Sequence, residues 1–152
     1  MVTMQNTMEQ HSPEAQAAQE QIAKANAAAM ALASVINTCS RLQSKGVDRL
    51  QLHHAIGKHQ ALLGQTTDTN WRDHLKAVAL DAGAEAVDWQ DQPDPARLPA
   101  ITWLPEQGWV VVRAQAPTGD WLIDCQGKLI QKSSAEPLPV ARLILPDGNV
   151  DG

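Results

Sequence analysis

Four histidines, His53, His54, His59 and His74, are the residues of this sequence whose type best suits a metal site. Such a site needs ligands that converge on one point, commonly two residues four apart on a helix plus a third ligand. His54 and His59 are five positions apart with Gly57 between them, and the adjacent His53 and His54 face different sides of any helix. We therefore expect solvent-facing histidines and no metal site.

The two cysteines are candidates for nucleophilic catalysis, which needs a thiol whose pKa is lowered by a helix N-terminus or a nearby protonated histidine. Cys39 lies near the C-terminal end of a predicted helix, on its apolar side, where a thiol acts as a small hydrophobic group. Cys125 follows Asp124 on a predicted strand, and no histidine occurs after His74. A cysteine hydrolase that uses Cys39 or Cys125 is therefore the last of the functions considered. Because phosphate-binding loops, nucleophile elbows and dinucleotide motifs do not occur either, we expect neither enzyme activity nor a cofactor.

Tryptophan is the only type of aromatic residue in the chain, which has five Trp and neither Tyr nor Phe. Four of the five Trp lie between residues 89 and 121. A tryptophan ring combines a large apolar surface with one N–H donor, so a local group of them forms either a protein core or a binding face. The composition leaves both interpretations open.

Length and charge limit the class of protein. The 152 residues are 43% hydrophobic, which suits one domain with a sizeable core. Residues 1–80 carry 7 basic and 6 acidic side chains, whereas residues 81–152 carry 5 basic and 11 acidic ones. This acidic second half disfavours nucleic acid and anionic lipid as partners. The chain shows neither an apolar stretch of about 18 residues nor an apolar secretory signal, so we expect no membrane insertion and a cytoplasmic protein with two free thiols.

The first 83 residues have the periodicity of helices. Ser12, Pro13 and Glu14 are typical of a helix N-terminus, and we expect this first helix to extend to Ser44, before a stop at Gly46. Small and apolar side chains recur every three or four positions along it and predict a packing seam. The seam consists of Ala15, Ala18, Ile22, Ala25, Ala29, Leu32, Ile36 and Cys39.

Two further helices are expected before Gly83. The second covers residues 49–56 after the N-cap Asp48, and the third covers residues 70–82 after the N-cap Thr69. A helical turn is expected over 58–63, between Gly57 and Gly64. The expected apolar contacts are Leu50, Leu52 and Ile56 in the second helix, and Trp71, Leu75, Val78, Ala79 and Ala82 in the third.

After Gly83 the pattern changes to short apolar runs separated by Pro, Gly and Asp, which predict strands and turns. Helices over 13–83 followed by an antiparallel meander over 84–146 indicate a single α+β domain. We expect disordered tails at 1–12 and 147–152. The predicted strands are 84–89, 99–104, 109–114, 121–125, 128–131 and 141–145.

Three motifs in the second half resemble one family of peptidases. Residues 98–104 (LPAITWL), 108–112 (GWVVV) and 121–124 (WLID) follow one another as in the distal half of the double-glycine leader peptidases. These enzymes are papain-like cysteine proteases fused to the N-terminus of bacterial ABC exporters. The layout of the preceding helices is similar as well, so the resemblance covers roughly residues 25–145 and implies a papain-like fold.

The catalytic positions of that family are largely replaced. Residues 25–28 read Ala-Asn-Ala-Ala where the family has its cysteine, and Gly108 stands where the family has its histidine. Asp124 matches the third catalytic position, while Cys125 replaces the usual proline. An orienting carboxylate without a nucleophile or base cannot catalyse peptide cleavage. The chain therefore resembles the degenerate, non-catalytic peptidase-like domain of type I secretion exporters.

This resemblance implies a partner and a site. Domains of that kind hold an unfolded secreted polypeptide, the passenger, near the membrane and ATPase domains of the exporter, in the cytoplasm at the inner membrane. They keep a tryptophan at the position of Trp103. Because Trp109 follows Trp103 across a turn, and Trp121 and Asp124 lie on the next strand, we expect these four residues to bind the passenger.

A structural or oligomerising adaptor is the alternative function from a different class. The alanine-rich first helix would then form a coiled-coil contact, possible as a homodimer, and the sheet would serve as a scaffold.

Overall fold

A long helix opens the part of the chain that the computed structural model describes, residues 13–146. The tails expected at 1–12 and 147–152, and the predicted N-cap Ser12, lie outside these residues. The helical part agrees with the predicted number and order of segments. It comprises α1 (Pro13–Gln43), α2 (Arg49–Lys58), α3 (Gln60–Leu63) and α4 (Trp71–Asp81).

The end of α1 differs from the prediction. The helix ends at Gln43, and Ser44, rather than Gly46, adopts the left-handed conformation that stops it, with φ +54°. The amide of Ser44 donates to the carbonyl of Arg41, and the amide of Lys45 donates to the carbonyl of Ser40. This is the Schellman pattern, which satisfies the last carbonyls of a helix. The sequence predicted a stop at Gly46 because the left-handed conformation has the lowest free-energy cost for glycine.

The helix starts are only partly as predicted. Asp48 is the N-cap of α2, and its carboxylate accepts from the amides of Leu50 and Gln51. Leu50, however, is exposed, because it points away from the core side on which Leu52 and Ile56 lie. For α4 the prediction of Thr69 was wrong: the N-cap is Asn70.

The three glycines near the helix ends have different structural roles. Gly57 lies inside α2 and does not delimit it, whereas Gly83 ends α4 as predicted, with φ +108°. Gly64 allows a close approach of two helices, since a Cβ at this position would lie 3.0 Å from the Cβ of Ala25. The end of α3 therefore packs directly on α1.

Six strands form one antiparallel sheet after α4. They are β1 (Ala86–Gln90), β2 (Ala100–Leu104), β3 (Gly108–Gln115), β4 (Trp121–Cys125), β5 (Lys128–Lys132) and β6 (Val140–Ile144), with a short 3-10 turn at Pro95–Arg97 before β2. The predicted strands are thus confirmed, and so is the α+β class.

The strand order corrects the predicted meander. The order is β1-β6-β2-β3-β4-β5, so only β2 to β5 form a meander and β6 returns between β1 and β2. Residues 133–139 carry the chain back across the sheet, and the side chain of Leu138 in this segment is buried. Burial of the apolar strand β6 between two neighbours satisfies both of its edges, which a terminal position would not.

Alternate residues of the strands face two separate cores. On β3, Trp109 and Val111 pack against the helices, on what we call the helix face, whereas Val110 and Val112 pack on the second face. The second core has no helix of its own and is closed by the strands and by Leu138. Both faces of the central strands are therefore buried.

The seam of α1 is buried only in its C-terminal part. Ala25, Ala29, Leu32, Ile36 and Cys39 are buried as predicted. All of them except Ala25 belong to the helix-face core, and Ala25 packs against Gly64 at the end of α3. Ala18 and Ile22 are exposed, the latter by 62% of its surface.

By length and composition alone, α1 is also apolar enough to cross a membrane. The helix at the centre of a protein core meets the same criterion, so this is weak evidence for a membrane span.

Candidate functional site

Trp103 and Trp109 are directly opposite each other on β2 and β3. Residues that pair in this way point to the same face of an antiparallel sheet, here the helix face. Trp109 is 1% exposed in the core, whereas Trp103 is half-buried and packs against the edge of that core. The two rings therefore lie on the same face of the sheet, but Trp109 is buried and only Trp103 offers part of its ring to solvent.

This pair lies at the end of the sheet away from the C-terminus of α1. The side chain of Gln43 donates to the carbonyl of Leu143, and the amide of Gly46 to that of Pro146, which joins the end of α1 to the end of β6. Because β6 and β2 are antiparallel, Trp103 lies at the opposite end of the sheet.

Two further tryptophans extend the pair into a cluster. The ring of Trp71 on α4 meets Trp109 edge-on at 6.3 Å between ring centroids, and meets Trp89 on β1 in the same way at 6.2 Å. We call Trp103, Trp109, Trp71 and Trp89 the tryptophan cluster. Edge-to-face packing of this kind adds to the stabilisation from burial. The sequence predicts Trp71 as a core residue but does not link it to Trp89, since only the tertiary fold brings α4 and β1 together.

Trp121 lies apart from the cluster. It is buried with Ile123 in the second core, on the face opposite to Trp103. The four residues expected to bind the passenger are thus not brought together: Trp103, Trp109 and Asp124 share the helix face, and Trp121 does not.

Asp124 is held by two neighbours at the end of β4. Its side chain accepts from the amide of Gly127 at 2.7 Å, and lies 3.8 Å from the guanidinium of Arg113. In register it is opposite Val111, whose side chain belongs to the helix-face core. The carboxylate therefore orders a turn and pairs with a cation, and does not orient an imidazole.

A shallow groove runs beside α1 over the helix face of β3 to β5. Its volume is about 360 Å³. Leu129 on β5 is 58% exposed there, and Leu42 at the end of α1 is also exposed. The irregular pairing of β3 and β4 between Val112 and Ala114 places Arg113 at the same groove. The remaining lining residues are Leu98, Pro99, Ala114 and Leu122.

Both thiols lack the features of a catalytic cysteine. Burial raises the pKa of Cys39 to about 12, so the thiolate is not formed near neutral pH. The pKa of Cys125 is raised as well, by burial and then by the carboxylate of Asp124. A nucleophilic cysteine needs the opposite shift.

The histidines are placed differently from the expectation that all four face solvent. His53 and His54 are exposed, but His74 is buried, with its Nδ1 2.9 Å from the hydroxyl of Thr66. Burial lowers the pKa of His74. The prediction failed for His74 because this residue lies one turn after Asn70 on the side of α4 that packs inward.

His59 is also partly covered and joins two helices. Its Nε2 lies 2.7 Å from a carboxylate oxygen of Asp81, which Lys58 approaches to 3.4 Å. These contacts lower the pKa of Asp81, with the bond to His59 as the main cause. Among residues 13–146, no group of three or more His, Cys, Asp or Glu side chains is arranged to hold a metal ion.

Comparison with known proteins gives no relative: no family description, curated protein or solved structure matches this chain.

Proposed function

We propose that this chain is a catalytically inactive peptidase-like domain, which binds an unfolded polypeptide around Trp103, at one end of the central strand β2. The partner is the secreted passenger of a bacterial type I exporter. In such an assembly the domain acts in the cytoplasm, at the inner membrane, next to the transporter's membrane and ATPase domains.

The order of elements supports this proposal. Helices precede an antiparallel sheet and cover one face of it, and the LPAI and GWVVV segments form the neighbouring strands β2 and β3. The papain-like assignment rests on the motifs of residues 98–124 and on this order.

The absence of catalysis is supported by the two thiols and by Asp124. Cys39 has a pKa of about 12 and lies inside the core. Asp124 interacts with Arg113 and the amide of Gly127, so it is engaged without an imidazole. Gly108, at the position of the family's histidine, has φ +78°, a conformation that a side chain rarely adopts.

The observation that carries the proposal is the partial exposure of Trp103. Trp109, directly opposite it on β3, is buried and packs edge-on with Trp71, and Trp103 packs against the core to which both belong. A rigid aromatic ring that is half-covered by a firm core is the kind of residue that anchors a binding partner. An extended chain can lie on the exposed part of this ring.

The test compares one polypeptide in two states. Fluorescently labelled α-lactalbumin, reduced and alkylated so that it stays unfolded, is titrated with the chain, alongside the native disulfide-bonded form. We expect the unfolded form to bind and the native form not to bind. The same samples, and a synthetic peptide with a double-glycine leader, should remain uncleaved by mass spectrometry. Binding of both forms alike, or leader cleavage that a point change in this chain abolishes, would contradict the proposal.

The exposed beginning of α1 favours the oligomerising adaptor as a second candidate. Ile22 is 62% exposed and Met30 is 73% exposed. Ile22 belongs to the predicted packing seam of α1, yet it faces solvent. Light scattering decides this case. A dimer that Ile22→Asp converts to a folded monomer would favour the adaptor, and a concentration-independent monomer would rule it out.

A further inference from the structure

The two outer strands of the sheet differ in how well they are protected against pairing with another chain. β5 carries Lys128 and Lys132 at its two ends, and charged lysines are a common device that discourages strand addition. β1 has neither lysine nor proline, and it presents Trp89, which is 40% exposed. The edge formed by β1 therefore lacks the lysines of the edge formed by β5, and its one charged side chain, Asp88, is paired with Arg97.

The backbone of β1 is open on its outer side. β1 pairs with β6 through all five of its residues, Ala86 to Gln90. Within residues 13–146 no other strand pairs with β1. Because alternate amides and carbonyls of an edge strand point away from its partner, these groups are available to an added strand.

Trp89 is fixed in a position to receive such a strand. Its ring contacts Trp71 edge-on, and Trp71 is held in turn by Trp109 and by the guanidinium of Arg72, 5.3 Å from its ring centre. A partly exposed ring with this support loses little side-chain entropy on binding. An apolar side chain of an added strand can pack on it.

The charge around this edge is acidic. Glu85, Asp88, Asp91 and Asp94 lie within residues 85–97, and Arg97 is the one basic residue there.

Part of this charge is compensated inside the protein. Arg97 pairs with Asp88 at 3.2 Å and with Asp94 at 3.8 Å, and Arg142 of β6 is opposite Asp88 in the sheet. Glu85 and Asp91 are exposed at the two ends of β1 and leave the edge with an acidic excess. An added strand with basic side chains complements it.

We propose that the outer edge of β1 binds an extended, basic polypeptide segment by strand addition, with Trp89 as its apolar contact. This interaction goes beyond the passenger site and does not depend on it, since Trp103 lies two strands away on β2. The partner would carry an apolar side chain that packs on Trp89, and lysine or arginine side chains that reach Glu85 and Asp91 at the two ends of β1.

The experiment uses a labelled heptapeptide of alternating lysine and valine, with a glutamate–valine peptide of equal length as its charge control. Fluorescence anisotropy gives the affinity, and hydrogen exchange locates the binding. We expect the lysine peptide to slow amide exchange in residues 86–90. Its affinity should fall about tenfold in Trp89→Ala and fall clearly in Asp91→Lys and at high salt. Gln131→Ala, at an exposed position on the other edge of the sheet, should bind normally.

Several results would overturn the proposal. These are protection of β5 in place of β1, equal binding of the glutamate peptide, and unchanged binding by a Trp89→Ala protein whose melting curve shows that it is folded. Protection of residues 86–90 without peptide would mean that the edge is already occupied. If that protection increases with protein concentration the occupant is a second copy of the chain, and if it does not the occupant is a segment of the same chain.

Discussion

Single residues of the same type have very different surroundings in this fold. His53 is exposed, while His74 is buried against Thr66, whose hydroxyl donates to the carbonyl of Leu63. The Nδ1–H of a neutral His74 then donates to the Thr66 oxygen. The exposed and buried histidines cannot be distinguished from the sequence, because the side of a helix that becomes buried depends on which elements pack against it.

The burial of His74 predicts a loss of stability in mild acid. Its pKa in the folded state is lower than the ordinary value of 6.5, so the unfolded chain binds the proton more readily. The stabilisation is therefore complete above pH 6.5 and is lost as the pH falls below it toward the folded-state pKa. Denaturant unfolding of the wild type at neutral and mildly acidic pH should show this loss.

His74→Gln serves as the variant without a titrating group. Glutamine can still bond to Thr66, so the variant should lose less stability between the two pH values than the wild type does. The exposed His53→Gln should behave as the wild type. Asp81 does not interfere, since its pKa is below 3.8. Equal acid sensitivity of His74→Gln and the wild type would rule out this role of His74.

At the level of secondary-structure elements, the helix ends show which boundaries can be predicted from neighbouring residues alone. The N-cap Asp48 and the terminator Gly83 were predicted because their effects depend on the nearest few residues. The left-handed conformation of Ser44 was not predicted, because it costs free energy for a serine. Tertiary contacts such as the hydrogen bond from Gly46 to Pro146 hold the chain in this conformation. The strands were located for the same reason as Asp48: turns such as 126–127 carry a local signal.

Ser44→Gly should stabilise the protein. With φ +54°, Ser44 carries a conformational cost that glycine avoids, offset in part by the greater freedom of glycine in the unfolded chain. We expect the free energy of unfolding to increase by about 0.5–1 kcal/mol in chemical denaturation. The matched change Ser34→Gly, at an exposed position inside α1, should lose about 0.5 kcal/mol. A loss of stability in Ser44→Gly would show that the cap does not limit this helix.

The two parts of α1 should respond differently to a charge. Ile36 is 1% exposed in the helix-face core, so Ile36→Asp places an unpaired carboxylate among apolar side chains and should unfold the domain. Ile22 is 62% exposed, and Ile22→Asp should remain folded with a stability within about 0.5 kcal/mol of the wild type. Circular dichroism melting curves check both. A folded Ile36→Asp protein would contradict the position of α1 in the core.

At the scale of the whole molecule, the strand order decides which residues can act together. The predicted meander would have placed β6 at the edge next to β5. Its return between β1 and β2 leaves β5 as the outer strand there, and β1 remains an outer strand that pairs with β6 instead of β2. Such an arrangement is non-local, so turn residues do not reveal it. Trp121 and Trp103 are separated for a similar reason. The register of each strand, and the layers that pack on the two faces of the sheet, determine which face a side chain occupies.

The proposed passenger site can be tested by one titration of the whole domain. Unfolded, labelled α-lactalbumin is titrated with the wild type, with Trp103→Ala, and with Leu80→Ala as a control that removes an exposed apolar side chain of α4 outside both proposed sites. Removing a supported aromatic anchor should weaken binding at least about tenfold, or about 1.4 kcal/mol, in Trp103→Ala and hardly at all in Leu80→Ala. The melting temperature of Trp103→Ala should fall less than that of Val111→Ala, which opens a cavity in the core. Normal binding by Trp103→Ala, or its simple unfolding, would show that Trp103 is a core residue and contradict the proposed function.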